Sequence, residues 1–194
     1  MRHGVFRWWI AALAGVLICG RAMAWNDGDF PLSYRLNVVE LPESSQRLAT
    51  VQMRMGLEDW ISVDGTRATS CYLGTTGKYG RSDEKILSTW SPLPDPIAGL
   101  GMYPPGGRIW YNSRYPFLVR WRHLFLHETG HALGFPHYPG NSVMAQGGAD
   151  FLTDFDQSLM RSAYPGGKKR VDNGLCSSDF DTSWIHDPNL RKLR

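Results

Sequence analysis

His127-Glu128-Thr129-Gly130-His131-Ala132-Leu133-Gly134-Phe135-Pro136-His137 decides how the rest of this chain is read. Two histidines four apart on a helix project from the same face, one turn from each other. That separation suits two corners of a tetrahedral zinc site with the ion lying against the helix. Glu128 directly follows the first histidine, so its carboxylate leans toward the open side of such an ion. Gly134 can take positive φ at no steric cost, which lets the helix stop and the chain turn back. The turn brings in His137 as a third ligand, and Pro136 discourages any continuation of the helix. Three neutral imidazoles leave the fourth position for water, the arrangement of catalytic rather than structural zinc. The expectation is therefore one Zn2+ held by His127, His131 and His137, with Glu128 as the catalytic carboxylate.

Outward from that stretch, the ligand-bearing helix is expected to begin near Pro116 and to run through Trp121 and Leu126 to Leu133. Before it stand two strand-like segments, Ile97 to Tyr103 and Arg108 to Asn112, separated by Pro104-Pro105-Gly106-Gly107. Further upstream, Leu32 to Val39 alternates and reads as a strand. Ser44 or Ser45 is the expected cap of a helix to about Ile61, with Leu48, Val51, Met55, Leu57 and Trp60 at helical spacing. Residues 64–84 are rich in Gly, Ser, Thr and Lys and read as loops and short strands; Ile86 to Trp90 reads as another strand. After the site, Phe151 to Tyr164 reads as a closing helix with Thr153 as cap and Leu152, Phe155, Leu159 and Ala163 on one face. The segments together predict an α+β domain.

The chain of 194 residues begins with a basic end, Met1 to Arg7, an apolar run from Trp8 to Cys19 and the small-residue triplet Ala22-Met23-Ala24. That pattern predicts a signal peptide over residues 1–24, cut after Ala24, and a secreted or periplasmic protein with no membrane segment in its mature form. Ile18 before Cys19 does not suit lipidation. Of the 21 basic residues three lie in the leader, so 18 face 18 acidic residues in the remainder. A balanced charge and the small clusters Lys168-Lys169-Arg170 and Arg191-Lys192-Leu193-Arg194 give no nucleic-acid footprint. Domain organisation is expected as leader 1–24, catalytic domain 25–166 and C-terminal tail 167–194. Two cysteines remain, Cys71 and Cys176, and an exported chain with one pair is expected to join them, tying the tail to the body.

At the His-Glu-x-x-His-x-x-Gly-x-x-His pattern the sequence resembles the metzincin metallopeptidases, in which a methionine turn follows. Ser142-Val143-Met144-Ala145 supplies that methionine, Met144, seven residues after His137. Within the clan it looks most like the small bacterial matrixin-type enzymes. The likeness rests on a Trp-led opening from Trp25 to Asn37, a helix ending at Trp60, the strand pair before the active-site helix, and a closing segment Leu152-Thr153-Asp154-Phe155-Asp156 leading to Ala163-Tyr164. It implies a twisted mixed sheet with an edge strand for substrate, an active-site helix and a C-terminal helix. It also implies that Arg108 to Asn112 is an exposed edge receiving an extended peptide as an added strand. Departures are equally legible. No histidine accompanies Leu100-Gly101 or Ile109-Trp110 to hold a second zinc. Cys71, in Thr69-Ser70-Cys71-Tyr72, is not a Pro-Arg-Cys-Gly latch, and Ala145 stands where some metzincins carry a tyrosine ligand.

The chemistry implied is peptide-bond hydrolysis by zinc-activated water, with Glu128 as general base and then acid. Two other classes fit the same residues: an exported zinc-containing binding or inhibitory module without turnover, and an amidase acting on cell-wall peptides. His123 lies about 6 Å further along the helix than His127 and is expected beside the site rather than on the ion. Tyr138 is expected to pack, Met144 to support the histidines without bonding the metal, and His186 to be solvated. Scattered aspartates such as Asp154 and Asp156 have no calcium-loop spacing, so calcium is not assigned.

Overall fold

The structure is a computed structural model and describes residues 24–115 and 121–167. Five strands form one mixed sheet in the order β2-β1-β3-β5-β4. They are β1 (Leu32–Asn37), β2 (Ser70–Thr75), β3 (Ile86–Ser91), β4 (Gly99–Gly101) and β5 (Arg108–Asn112). The pairs β1–β2, β1–β3 and β3–β5 are parallel; β4 alone runs antiparallel, on β5, with Leu100 opposite Trp110. The alternation in β1 explains its place inside the sheet. Leu32, Tyr34 and Leu36 are all buried on one face, while Ser33 and Arg35 face a layer of loop. That loop crosses the outer face: Asn37 Nδ2 donates to the Lys78 carbonyl at 3.0 Å, and Arg81 donates to the Pro105 carbonyl at 2.7 Å.

Among the described residues three α-helices follow the order of the chain: α1 (Glu43–Ile61), α2 (Trp121–Ala132) and α3 (Asp154–Ala163). α2 lies between α1 on one side and β4 and β5 on the other. The core along this contact is aromatic. Trp121 stacks on Phe125 with 5.3 Å between centroids, and Phe125 meets Tyr111 edge-on at 4.6 Å. Trp60 stacks on Phe135 at 5.0 Å and donates its indole N–H to the Leu126 carbonyl at 2.9 Å, so the end of α1 is fixed to the middle of α2.

Several expectations need correction. The cap of α1 is Pro42, with extended dihedrals and no side-chain bond, not Ser44 or Ser45. The buried face of α1 is Ser45, Ala49, Met53, Gly56, Leu57 and Trp60; Leu48, Val51 and Met55 are only half-buried. Small residues win that face because the helices approach closely: a Cβ on Gly56 would stand 2.9 Å from Phe125 Cβ. α3 is rotated in the same sense. Asp156 and Met160 are its buried residues, whereas Phe155 is exposed. Thr153 caps α3 as expected, accepting from the Asp156 N–H within a reciprocal capping box. β5 is paired on both sides, so Arg108 to Asn112 is not the exposed edge; β4 is.

Cys71 is buried and disulfide-bonded. Cys176 and His186 lie outside the described residues, as do Pro116, residues 168–194 and the expected leader up to Met23. Among the described residues no helix is long and apolar enough to cross a membrane.

Candidate metal centre

α2 carries His127, Glu128 and His131 on its buried side, each less than a tenth exposed. Its last turn closes as a Schellman motif: Gly134 N–H donates to the His131 carbonyl and Phe135 N–H to the Gly130 carbonyl, both at 2.9 Å. Gly134 has φ +100°, the left-handed value that reverses the chain here. The reversal carries His137 back over the helix face. His137 Nε2 then lies 3.0 Å from His127 Nε2 and 3.1 Å from His131 Nε2.

The tautomers show what belongs between these rings. His127 Nδ1 is 2.7 Å from the Val143 carbonyl and His131 Nδ1 is 2.7 Å from the Phe135 carbonyl. A carbonyl only accepts, so both Nδ1 atoms carry hydrogen and both Nε2 atoms present lone pairs. Lone pairs converging at about 3 Å repel unless a cation sits among them. His127, His131 and His137 can thus hold a metal ion, and their nitrogen donor set fits one of borderline softness. Burial reinforces this by pushing the His127 pKa down to about 4 and lowering that of His131, each against an opposing backbone hydrogen bond. Neutral ligands are therefore ready without a deprotonation cost. Burial also pushes the Glu128 carboxyl up to about 7, opposed by a hydrogen bond from the backbone of Gly101.

A cavity of about 590 Å³ runs along this face of α2. β4 forms its opposite wall at very close range: a Cβ on Gly101 would stand 2.3 Å from the Glu128 carbonyl oxygen. Tyr103 stands edge-on to His131, with centroids 5.5 Å apart.

No family model matches the sequence, and no curated protein matches it. Among solved structures, that of Myroilysin matches with a TM-score of 0.51 at 11% sequence identity, covering 74% of this chain and 82% of that one. The fold is Myroilysin-like. At that identity the likeness concerns the fold alone.

In this Myroilysin-like frame the remaining residues take definite places. His123 is outside the three-histidine group; its Nδ1 lies 2.8 Å from the Ala149 carbonyl and its ring centroid 5.4 Å from that of His127. Tyr138 packs edge-on against Phe155 at 5.3 Å. Met144 is fully buried against α2, where a Cβ on Gly130 would come within 2.2 Å of its sulfur.

One residue carries more than its sequence position suggested. The buried carboxylate of Asp156 accepts from Ser142 Oγ, from Val143 N–H at 3.1 Å, and from Thr153 N–H and Oγ1 at 2.9 and 2.7 Å. It joins the start of α3 to the loop holding Met144. The Thr153-x-x-Asp156 spacing was the available signal, but it pointed to a helix cap and not to the loop. Trp25 is the second such residue, its indole N–H donating to the Ala132 carbonyl at 2.9 Å and so capping the end of α2.

Proposed function

We propose that this chain is an exported zinc-dependent endopeptidase of the metzincin type, close to the matrixins. The carrying observation is the convergence of three imidazole Nε2 atoms beside a buried carboxylate at one end of an open edge strand. The metal would be held by His127, His131 and His137; zinc bound there supplies Lewis acidity toward the scissile carbonyl and lowers the pKa of a water from about 15.7 to about 7. Glu128, with its pKa raised to about 7, is matched to taking the proton of the attacking water and returning it to the leaving amine. An extended peptide would add to the free edge of β4, its backbone aligned along α2, with side chains reaching into the cavity. The Myroilysin-like fold supports this reading, and the expected leader over residues 1–24 is its basis for export.

The test is digestion of casein and of a peptide library with and without chelator, for wild type and Glu128→Ala. Cleavage is expected to need metal and to be abolished in Glu128→Ala, whose metal content stays near wild type. Retained cleavage in that variant overturns the role of Glu128. Degradation of purified cell wall but of no peptide would favour an amidase instead, and metal binding without any turnover a binding module.

A further inference from the structure

β4 has little of its own to hold it in place. Two of its three residues are glycine, and the third, Leu100, is 49% exposed. Glycine brings a strand neither side-chain packing nor backbone stiffness. The position of β4 is set from outside, at three points. At its start the Asn112 amide donates to the Ile97 carbonyl at 2.7 Å. In its middle Gly101 lies directly on the backbone of α2. Past its end the chain turns toward β5, with the Gly106 N–H donating to the Tyr103 carbonyl at 2.8 Å. That turn is the third point, and it is held by a cation.

Arg81, in the loop between β2 and β3, donates from Nη1 to the carbonyls of Pro105 at 2.7 Å, Gly106 at 2.8 Å and Lys85 at 3.2 Å. One cationic nitrogen thus gathers three carbonyl oxygens, two of them from the β4–β5 turn. The charge makes such bonds stronger than neutral ones. The approach is close: a Cβ on Gly107 would stand 2.0 Å from the Lys85 carbonyl oxygen and 3.1 Å from Arg81 Nη1. The loop is itself braced on both sides of the arginine. Buried Glu84 accepts from Ser82 N–H and Oγ, both at 3.1 Å, and buried Asn37 donates to the Lys78 carbonyl at 3.0 Å. The guanidinium is therefore presented from a fixed base.

We propose that Arg81 is a positioning residue of the peptidase, a reading that rests on the proposed function. By drawing in the Pro105 and Gly106 carbonyls it fixes the far end of β4 at the place where an extended peptide adds to the edge. Without the guanidinium the contact of Gly101 with α2 remains, so the middle of the strand, Glu128 and the three histidines stay as they are. Only the end of β4 nearest the turn is loosened. A substrate then pays for ordering that end when it binds, and the cost falls on binding rather than on the chemical step. The loosened end lies toward His131, since an added Cβ would meet His131 from Gly101 and Glu128 Oε1 from Gly99. Substrate residues on one side of the scissile bond should therefore feel the loss, and those on the other side should not.

The experiment is steady-state cleavage by the zinc-loaded full chain of a peptide of about eight residues, long enough to lie along the strand, and of two versions shortened on one side or the other. Arg81→Met keeps the stem and removes the donors. On the long peptide its KM is expected to rise about tenfold, the scale of one charge-assisted hydrogen bond, with kcat within about twofold of wild type, the mark of lost binding alone. Zinc content should not change. Shortening one side of the peptide should erase the difference from wild type, and shortening the other should preserve it. Arg81→Lys puts an ammonium with three N–H donors before the three carbonyls, and should restore the wild-type KM. An unchanged KM in Arg81→Met overturns the proposal. A loss that falls on kcat or zinc content, that is equal for all three peptides, or that Lys fails to restore overturns it too. So does an Arg81→Met chain that does not fold, because the role would then be structural. A wild type that cleaves no peptide refutes the peptidase reading and this proposal with it, an outcome distinct from cleavage with an unchanged KM.

Discussion

Asp156 reaches His127 through a single residue, Val143: its Oδ2 accepts the Val143 N–H at 3.1 Å, and the Val143 carbonyl lies 2.7 Å from His127 Nδ1. The carboxylate therefore fixes the group that fixes the ring, and the ring's other nitrogen faces its two partners. Outer partners of this kind orient metal ligands and tune their basicity.

Asp156→Asn should expose that chain of dependence. The amide keeps one acceptor oxygen but turns an NH2 group toward donors, leaving at least one buried donor, N–H or O–H, without an acceptor. The expected cost is about 2–4 kcal/mol of stability, from buried groups left unpaired, read by urea unfolding of the metal-free protein. Zinc affinity should fall about tenfold by calorimetry. A variant within about 0.5 kcal/mol of wild type would show that Asp156 is not the tie described.

Gly130→Ala tests the seat of Met144. The added carbon would stand 2.2 Å from the sulfur and 3.1 Å from Trp60 Cζ2, so the methionine must move or α2 must. Overpacking of this kind costs about 1–3 kcal/mol. Met144→Ala should recover most of it in the double variant, giving a coupling of about 1–2 kcal/mol in the cycle. Additive effects would mean that the two side chains do not share the space.

The clustering of the three histidines was legible in the sequence because each part of it is local. His127 and His131 are related by helical pitch, and Gly134 by the backbone value it alone tolerates, so spacing is geometry there. The alternation of Leu32, Tyr34 and Leu36 was legible for the same reason. What failed was decided by distant contacts. The faces of α1 and α3 were misjudged because hydrophobic spacing favoured Leu48 and Phe155, whereas close helix approach favoured Ala49 and Gly56, and hydrogen bonding favoured Asp156. The edge at β5 is what the family resemblance implies, and no local pattern in the sequence tests it. Strand order, which makes β4 the edge, is not written in either segment. Trp25 on the Ala132 carbonyl is a contact across 107 positions that no local pattern encodes.

Gly101→Ala bears on how closely β4 must lie against α2. Its Cβ would meet backbone, the Glu128 carbonyl oxygen at 2.3 Å, and His131 Cβ at 2.8 Å, so no rotamer relieves it. The strand must lift away from the helix. A loss of about 2–3 kcal/mol in stability is expected, together with at least a hundredfold fall in peptide cleavage from a misplaced edge. Leu100→Ala, at an exposed position of the same strand, should change stability by less than about 0.5 kcal/mol. Equal effects at the two positions would refute the close packing.

Glu128→Gln makes a pH-dependent prediction for the metal-free protein. Folding raises the Glu128 pKa from 4.5 to about 7, chiefly by burial. The folded state then holds a proton that the unfolded state has already lost, so this group's cost is absent below pH 4.5. It grows as pH rises to about 7 and stays constant above. Glutamine carries no charge and escapes it. At pH 8 with chelator, the variant should be more stable than wild type by about 3 kcal/mol, the linkage value of such a shift, and the two should coincide near pH 4. His127, held down to about 4 from 6.5, loses stability in the opposite direction, as pH falls from 6.5 toward 4. That loss is common to both proteins and cancels in their difference. Urea midpoints at pH 4, 6 and 8 decide the matter: a Glu128→Gln protein less stable than wild type at pH 8 would mean that the carboxylate is held by compensating contacts rather than stranded by burial.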